Sequence, residues 1–198
     1  MADNNLIKEL RELTGAGILD VKDALAEAGD NRDEALDILR KKGMAKMAKK
    51  SDRVAKEGIV ESYIHAGGRI GALVELNCET DFVGRTDDFK NLAKELALHI
   101  AAANPLYVSR DDVPAEVIEK ELEIYKEQAK DQVAGKPDDI VEKMMTGKLE
   151  KYYEESCLLE QPFVKDSTKK ISDLIAESTA KMGENVQVRR FARFHLGN

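Results

Sequence analysis

Gly67-Gly68, set between a stretch over residues 58–65 and the run Ile70-Gly71-Ala72-Leu73-Val74-Glu75-Leu76-Asn77-Cys78, constrains the fold more than any other feature of the chain. Adjacent glycines supply the positive φ angles of a tight primed turn, so the flanks are expected to pair as an antiparallel hairpin with Ala66-Gly67-Gly68-Arg69 as its turn. In the second strand Ile70, Ala72, Val74, Leu76 and Cys78 share one face, as a half-buried strand requires. A last strand over Val186 to Leu196 puts Val186, Val188, Ala192, Phe194 and Leu196 on a face expected to be core. Gln187, Arg189, Phe191, Arg193 and His195 fall on the opposite, basic face. Three antiparallel strands make a stable sheet once helices cover one side, and the expected class is α+β.

The helices come in two groups. Leu6, Ile7, Leu10 and Leu13 fall on one helical face that stops at Gly15. Ile18, Leu19, Val21 and Leu25 supply a second helix ending before Gly29. A third, capped by Asp30, carries Ala35, Leu36 and Leu39 and is expected to end at Gly43. Residues 1–43 therefore read as a small three-helix domain resembling the ubiquitin-associated fold, which presents a loop and helix ends to protein partners. A core this small is marginal, so the domain is expected to be tethered and mobile rather than rigidly docked. Residues 44–56, with Lys46, Lys49, Lys50, Arg53 and Lys56, read as a basic linker helix, and 57–198 as the α+β core. Within the core, Phe89, Leu92, Ala93, Leu96, Ala97 and Ile100 form an amphipathic stripe ending near Asn104-Pro105. A helical insertion continues with Val117, Ile118, Leu122 and Tyr125 after Pro114, then Ile140 to Tyr153 after Pro137.

Several kinds of chemistry are missing. No stretch approaches the roughly 20 apolar residues of a membrane span. The start Met1-Ala2-Asp3-Asn4-Asn5 is neither a basic signal start nor an Arg-rich transit sequence, so a cytoplasmic location is expected. The 2 cysteines, Cys78 and Cys157, lack partners at metal-site spacing and read as buried thiols. A net charge of -7 opposes nucleic-acid binding by the whole surface. The patch from Lys41 to Lys56 is open to two readings, a solvated connector and an RNA-binding face, but no aromatics interleave it for base stacking. No phosphate-binding glycine loop is visible, so no nucleotide, metal or other cofactor is expected in this chain. His65, His99 and His195 have no nucleophile near them in sequence, and no catalytic residue is assigned.

Thr80-Asp81-Phe82-Val83 stands apart, because an acid and a large aromatic adjoin where a strand ends and before Thr86 caps a helix. Held at both ends, the pair suits insertion into a partner. On the alternative reading Phe82 folds back onto the core and Asp81 only caps a turn.

Four separated segments carry a family resemblance. Leu10-Arg11-Glu12-Leu13-Thr14-Gly15-Ala16-Gly17, Leu76-Asn77-Cys78-Glu79-Thr80-Asp81-Phe82-Val83, Leu158-Leu159-Glu160-Gln161-Pro162-Phe163-Val164-Lys165-Asp166 and Val188-Arg189-Arg190-Phe191-Ala192-Arg193-Phe194 resemble, in order, the signature stretches and closing strand of translation elongation factor Ts. That resemblance implies a guanine-nucleotide exchange factor for the GTPase elongation factor Tu, met in its GDP-bound and nucleotide-free states, and no enzyme in its own right. It implies that Thr80, Asp81, Phe82 and Val83 disturb the Mg2+ site of the GTPase. It also implies that the corner at Arg11, Thr14, Gly15, Ala16 and Gly17 contacts the GTPase's nucleotide domain. Long family members hold two copies of the core and this chain shows one, so a homodimer is expected, with apolar surface on the sheet and the helical insertion, including the Leu158 to Val164 segment, as its glue. The alternative classes are an RNA-binding translation accessory protein, resting on the Lys41 to Lys56 patch, and an enzyme using Asp81 and a histidine.

Overall fold

β1 (Glu57–Ile64) and β2 (Ile70–Cys78) pair antiparallel as the glycine pair requires, with Ile64 opposite Gly71 and Glu57 opposite Cys78. The connection differs from a two-residue primed turn: the Gly68 amide donates to the His65 carbonyl at 2.9 Å and the His65 amide to Ile70 at 2.8 Å. Both Gly67 (φ 91) and Gly68 (φ 67) use the left-handed backbone inside this longer loop. β5 (Gln187–His195) joins the other side of β2, so the sheet has the order β1-β2-β5 with β2 central.

These coordinates are those of a computed structural model and describe residues 4–48, 50, 52–133 and 137–197. They form two units, Met1–Ala101 with Ser172–Asn198, and Ala102–Ile171. The side chains of Lys46, Met47, Ala48 and Lys49, part of the expected linker, lie outside the described residues, as do residues 1–3.

In the first unit the strict alternation expected for β5 fails at one residue. Glu75 pairs with Arg190 but Leu76 pairs with Val188, which leaves Arg189 as a bulge. One extra residue shifts the side-chain phase by one. Val188 therefore points inward with Ala72, Val74 and Leu76, yet so do Phe191, Arg193 and His195 of the expected basic face. Ala192, Phe194 and Leu196, expected in the core, point to solvent. The inward Arg193 is not stranded, since its Nε donates to the Ala101 carbonyl at 3.0 Å.

Three helices precede the sheet: α1 (Asn4–Thr14), α2 (Ile18–Glu27) and α3 (Arg32–Ala48). Their shared core is Ile7, Leu10, Val21, Ala24, Leu25, Ala28, Ala35 and Leu39. Leu13, Ile18 and Leu19, expected on the apolar helix faces, are exposed. The cap of α3 is Asn31, whose Oδ1 accepts from Asp33 and Glu34 at 3.0 and 3.2 Å. Asp30 instead closes α2: it takes φ 64 and donates its amide to Leu25 at 2.8 Å, so it belongs to the exit of one helix rather than the entry of the next. Nor does α3 stop at Gly43. It runs on to Ala48, because a lone glycine lowers helix stability by only about 1 kcal/mol and breaks no hydrogen bond.

After β2 come α4 (Asp81–Gly84) and α5 (Asp87–Ala103), whose expected stripe from Phe89 to Ile100 is buried. Thr86 caps α5 as expected, accepting from the Phe89 amide at 3.3 Å.

In the second unit α6 (Ala115–Val133) and α7 (Asp138–Ser156) follow Pro114 and Pro137. A two-stranded hairpin of β3 (Pro162–Phe163) and β4 (Asp166–Lys170), which no sequence pattern announced, leads to α8 (Ile171–Met182). Arg110 ties the second unit together. Its Nη1 and Nη2 donate to Glu150 at 2.9 and 2.7 Å, its Nε donates to Glu160 at 2.7 Å, and its guanidinium lies over the Tyr153 ring. That hydrogen bonding holds the Glu160 carboxyl below its ordinary range.

Both cysteines are free and buried. Burial is the main reason that each thiol is pushed up to about 11, with the Glu184 carboxylate adding to it at Cys78 and Glu160 at Cys157. A thiol whose folded pKa is raised contributes stability that is complete below its ordinary value and lost as pH climbs through the folded one. Denaturant midpoints should therefore fall between pH 9 and about 11, and less so for a variant with both cysteines changed to alanine. A drop of equal size in that variant would show that the thiols are not its cause.

Candidate functional site

Thr80 to Val83 forms one turn of helix perched on the ends of β1 and β2. Thr80 is extended (φ -125, ψ 153) and its hydroxyl accepts the Val83 amide at 3.4 Å, so the threonine is the N-cap. Asp81 opens the turn and pairs with Arg85 at 2.7 Å. Phe82 is 78% exposed, which excludes the reading in which it folds back onto the core. A large aromatic this exposed makes little contribution to its own fold and is open to contact from outside it.

The ground beneath the turn is tight. Gly58 of β1 has φ 142, and a Cβ there would overlap the Leu76 carbonyl and lie 2.8 Å from the Asn77 Cα. A Cβ at Gly84 would stand 3.5 Å from the Gly58 Cα and 3.6 Å from the Cys78 sulfur, so α4 sits directly on the strands. Cys78 also donates its thiol to the Thr80 carbonyl at 3.1 Å.

Sequence reasoning missed two carboxylates. Glu184, between α8 and β5, accepts from the amides of Glu79 and Thr80 and from the Thr80 hydroxyl. Glu79 in turn accepts from the Asn185 amide at 2.7 Å and faces Arg53 at 3.5 Å. No local pattern marks either residue, because their partners lie on distant segments.

The amino-terminal corner is arranged differently from a simple display of Arg11 and Thr14 to Gly17. Arg11 and Gly17 are exposed, but Thr14 is buried and its hydroxyl donates to Leu10 at 2.6 Å. Gly15 abuts α8, where a Cβ would stand 2.7 Å from the Lys181 Cβ. The exposed apolar side chains at this corner are Leu13, Ile18 and Leu19.

The basic stretch is largely engaged where it is described. Lys42 pairs with Glu27 at 3.3 Å, Lys50 donates to the Gly183 carbonyl at 2.6 Å, and Arg53 faces Glu79. His65 lies 3.1 Å from the Tyr63 hydroxyl, His99 is buried within α5, and His195 is in β5. Among the described residues no group of three or more His, Cys, Asp or Glu could hold a metal ion, and no helix is long and apolar enough to cross a membrane.

Fold and site together define an α+β scaffold, fronted by three helices, that presents one exposed aromatic on a hydrogen-bonded turn. The family model for elongation factor TS matches residues 2–198. Elongation factor Ts from Anaeromyxobacter sp. is 61% identical over 193 residues, covering 98% of this chain and 87% of that one. The protein of that name from Carboxydothermus hydrogenoformans is 57% identical over 197 residues, with 100% and 90% covered. The one from Thermotoga maritima is 59% identical over 193 residues, with 98% and 95% covered. This chain belongs to the elongation factor Ts family.

Proposed function

We infer that the chain is a cytoplasmic guanine-nucleotide exchange factor for elongation factor Tu in translation elongation, and that Thr80 to Val83 is its working edge. The exposure of Phe82 on a turn braced from below is the observation that carries this reading. To accelerate GDP loss, a factor must bind the nucleotide-free GTPase more tightly than the GDP-bound form, and GDP then weakens the factor's binding by the same ratio. Differential contact suffices, and no bond is made or broken by the factor. Asp81 and Phe82 enter beside the Mg2+ and phosphate site of the GTPase, where Phe82 fills an apolar pocket. Burying one phenylalanine contributes about 1.5–3 kcal/mol, about a tenfold to a hundredfold shift between nucleotide-bound and factor-bound states.

The labour is divided along the chain. Residues 1–43 hold the GTPase through the corner at Arg11 and Thr14 to Gly17. In that corner Thr14 and Gly15 set the backbone, and the exposed Leu13, Ile18 and Leu19 beside them supply apolar contact. Residues 44–56 connect, and 57–198 carry the wedge. The direct test of the reading is to mix the chain with elongation factor Tu carrying labelled GDP and to time label release. Release at the spontaneous rate would end it.

The chain works as a homodimer. Val60, Ile64, Leu73, Phe194 and Leu196 leave the outward side of the sheet apolar at one end, with Ile64, Gly71 and Phe194 in one cross-strand row. Phe194 is 67% exposed. Leu158 and Phe163, by contrast, are buried within their own unit, which leaves the sheet as the stronger candidate for the glue. Two copies related by a twofold axis would bury this patch isologously. Sedimentation across a dilution series should give twice the chain mass for the parent and the chain mass for Phe194→Asp. Monomeric parent protein at micromolar concentration with full exchange activity would remove the dimer from the mechanism.

A further inference from the structure

We propose that Glu184 is a positioning residue for the Thr80 to Val83 turn, its carboxylate holding the turn so that Phe82 is presented ready for contact; the functional part rests on the exchange reading above. Three donors converge on this one side chain. The amides of Glu79 and Thr80 reach Oε2 at 3.1 and 3.0 Å, and the Thr80 hydroxyl reaches Oε1 at 2.6 Å. Because that hydroxyl spends its proton on Glu184, its lone pairs face the Val83 amide as the helix cap. The carboxylate thus fixes the cap's polarity as well as its place. A glutamine in this position has one acceptor oxygen and must turn an NH2 group towards a donor, so it cannot satisfy the same set.

The clamp is reciprocal. While Glu184 takes the amides of Glu79 and Thr80, Glu79 takes the amide of Asn185, so neighbouring residues of two segments exchange carboxylates for amides. Asn185 completes it by donating its Nδ2 to the Arg53 carbonyl at 2.8 Å. None of these bonds uses the Phe82 side chain, which stays free for a partner. A turn ordered before contact loses less conformational freedom on binding, and that saving is what Glu184 supplies.

The test compares the full-length parent with Glu184→Gln, Phe82→Ala and the double variant. In amide hydrogen exchange, Glu184→Gln should speed the Glu79 and Thr80 amides by about tenfold or more and leave Val74, in mid-strand, at the parent rate. In stopped-flow release of labelled GDP from elongation factor Tu, Glu184→Gln should lower the maximal rate about tenfold, the equivalent of fixing about one backbone residue. The double variant should be no slower than Phe82→Ala, because orientation is irrelevant once the aromatic is gone. Should Glu184→Gln fail to fold by thermal melting, Glu184→Asp, which keeps the charge and shortens the reach, takes its place in every arm. Unchanged protection at residues 79 and 80, or single effects that multiply in the double variant, overturns the positioning role. A Phe82→Ala protein that exchanges at the parent rate defeats the wedge reading itself, and the functional part of this proposal with it.

Discussion

Phe82→Ala is expected to melt within about 2 °C of the parent and yet to release GDP from elongation factor Tu about tenfold to a hundredfold more slowly at saturating factor. The two halves of this expectation come from one number. At 78% exposure the ring contributes almost nothing to folding, and surface changes of this kind stay within about 0.5 kcal/mol. Under the proposed function, the ring is buried only against the GTPase, in the state from which GDP has been lost. Its loss should therefore appear in the maximal rate as well as in half-saturation, which stopped-flow titration separates. Equal maximal rates for variant and parent would mean that the wedge lies elsewhere on the chain.

Gly58→Ala should have the largest effect on stability, on the order of 3–5 kcal/mol, lowering the melting temperature by roughly 10 °C or more. The new Cβ would collide with the Leu76 carbonyl on the neighbouring strand, and φ 142 is a conformation that only glycine adopts without strain. Backbone, unlike the end of a flexible side chain, has nowhere to move. Gly147→Ala is the control, because it lies within α7 with open space around it and should gain about 0.5–1 kcal/mol. Similar melting temperatures for the two variants would show that the close approach of β1 to β2 is not what restricts residue 58.

What could be read from residues alone divides along a physical line. The hairpin, the stripe of α5 and the exposed turn were legible because each depends on local period or local chemistry: paired glycines, apolar spacing, a threonine before a helix. The bulge at Arg189 was not, because alternation on both sides of it looks unbroken and only the pairing partner reveals the extra residue. For the same reason the alternation places Phe194 in the core, whereas it faces solvent. Asp30 and Asn31 are both good caps by composition, and the choice between them was made by a left-handed bend that a one-dimensional pattern does not encode. Glu184 carries no local signal at all. A carboxylate in a polar connection looks solvated until the amides it meets are brought to it by the fold.

The bond between Thr80 and Glu184 also sets a timetable. Its ends are 104 residues apart, and at roughly 5–20 residues per second a ribosome adds the second about 5–20 s after the first. During that interval α1 to α3 have one another, though not the end of α8 against which Gly15 lies, while β2 has β1 but still lacks β5. A two-stranded hairpin is marginal alone and leaves one edge of its central strand open. The segment that follows Met182 then brings both the missing strand and the carboxylate, so completion of the sheet and fastening of the turn fall in a single late step. A nascent chain gains a presentable Phe82 only as its own fold closes.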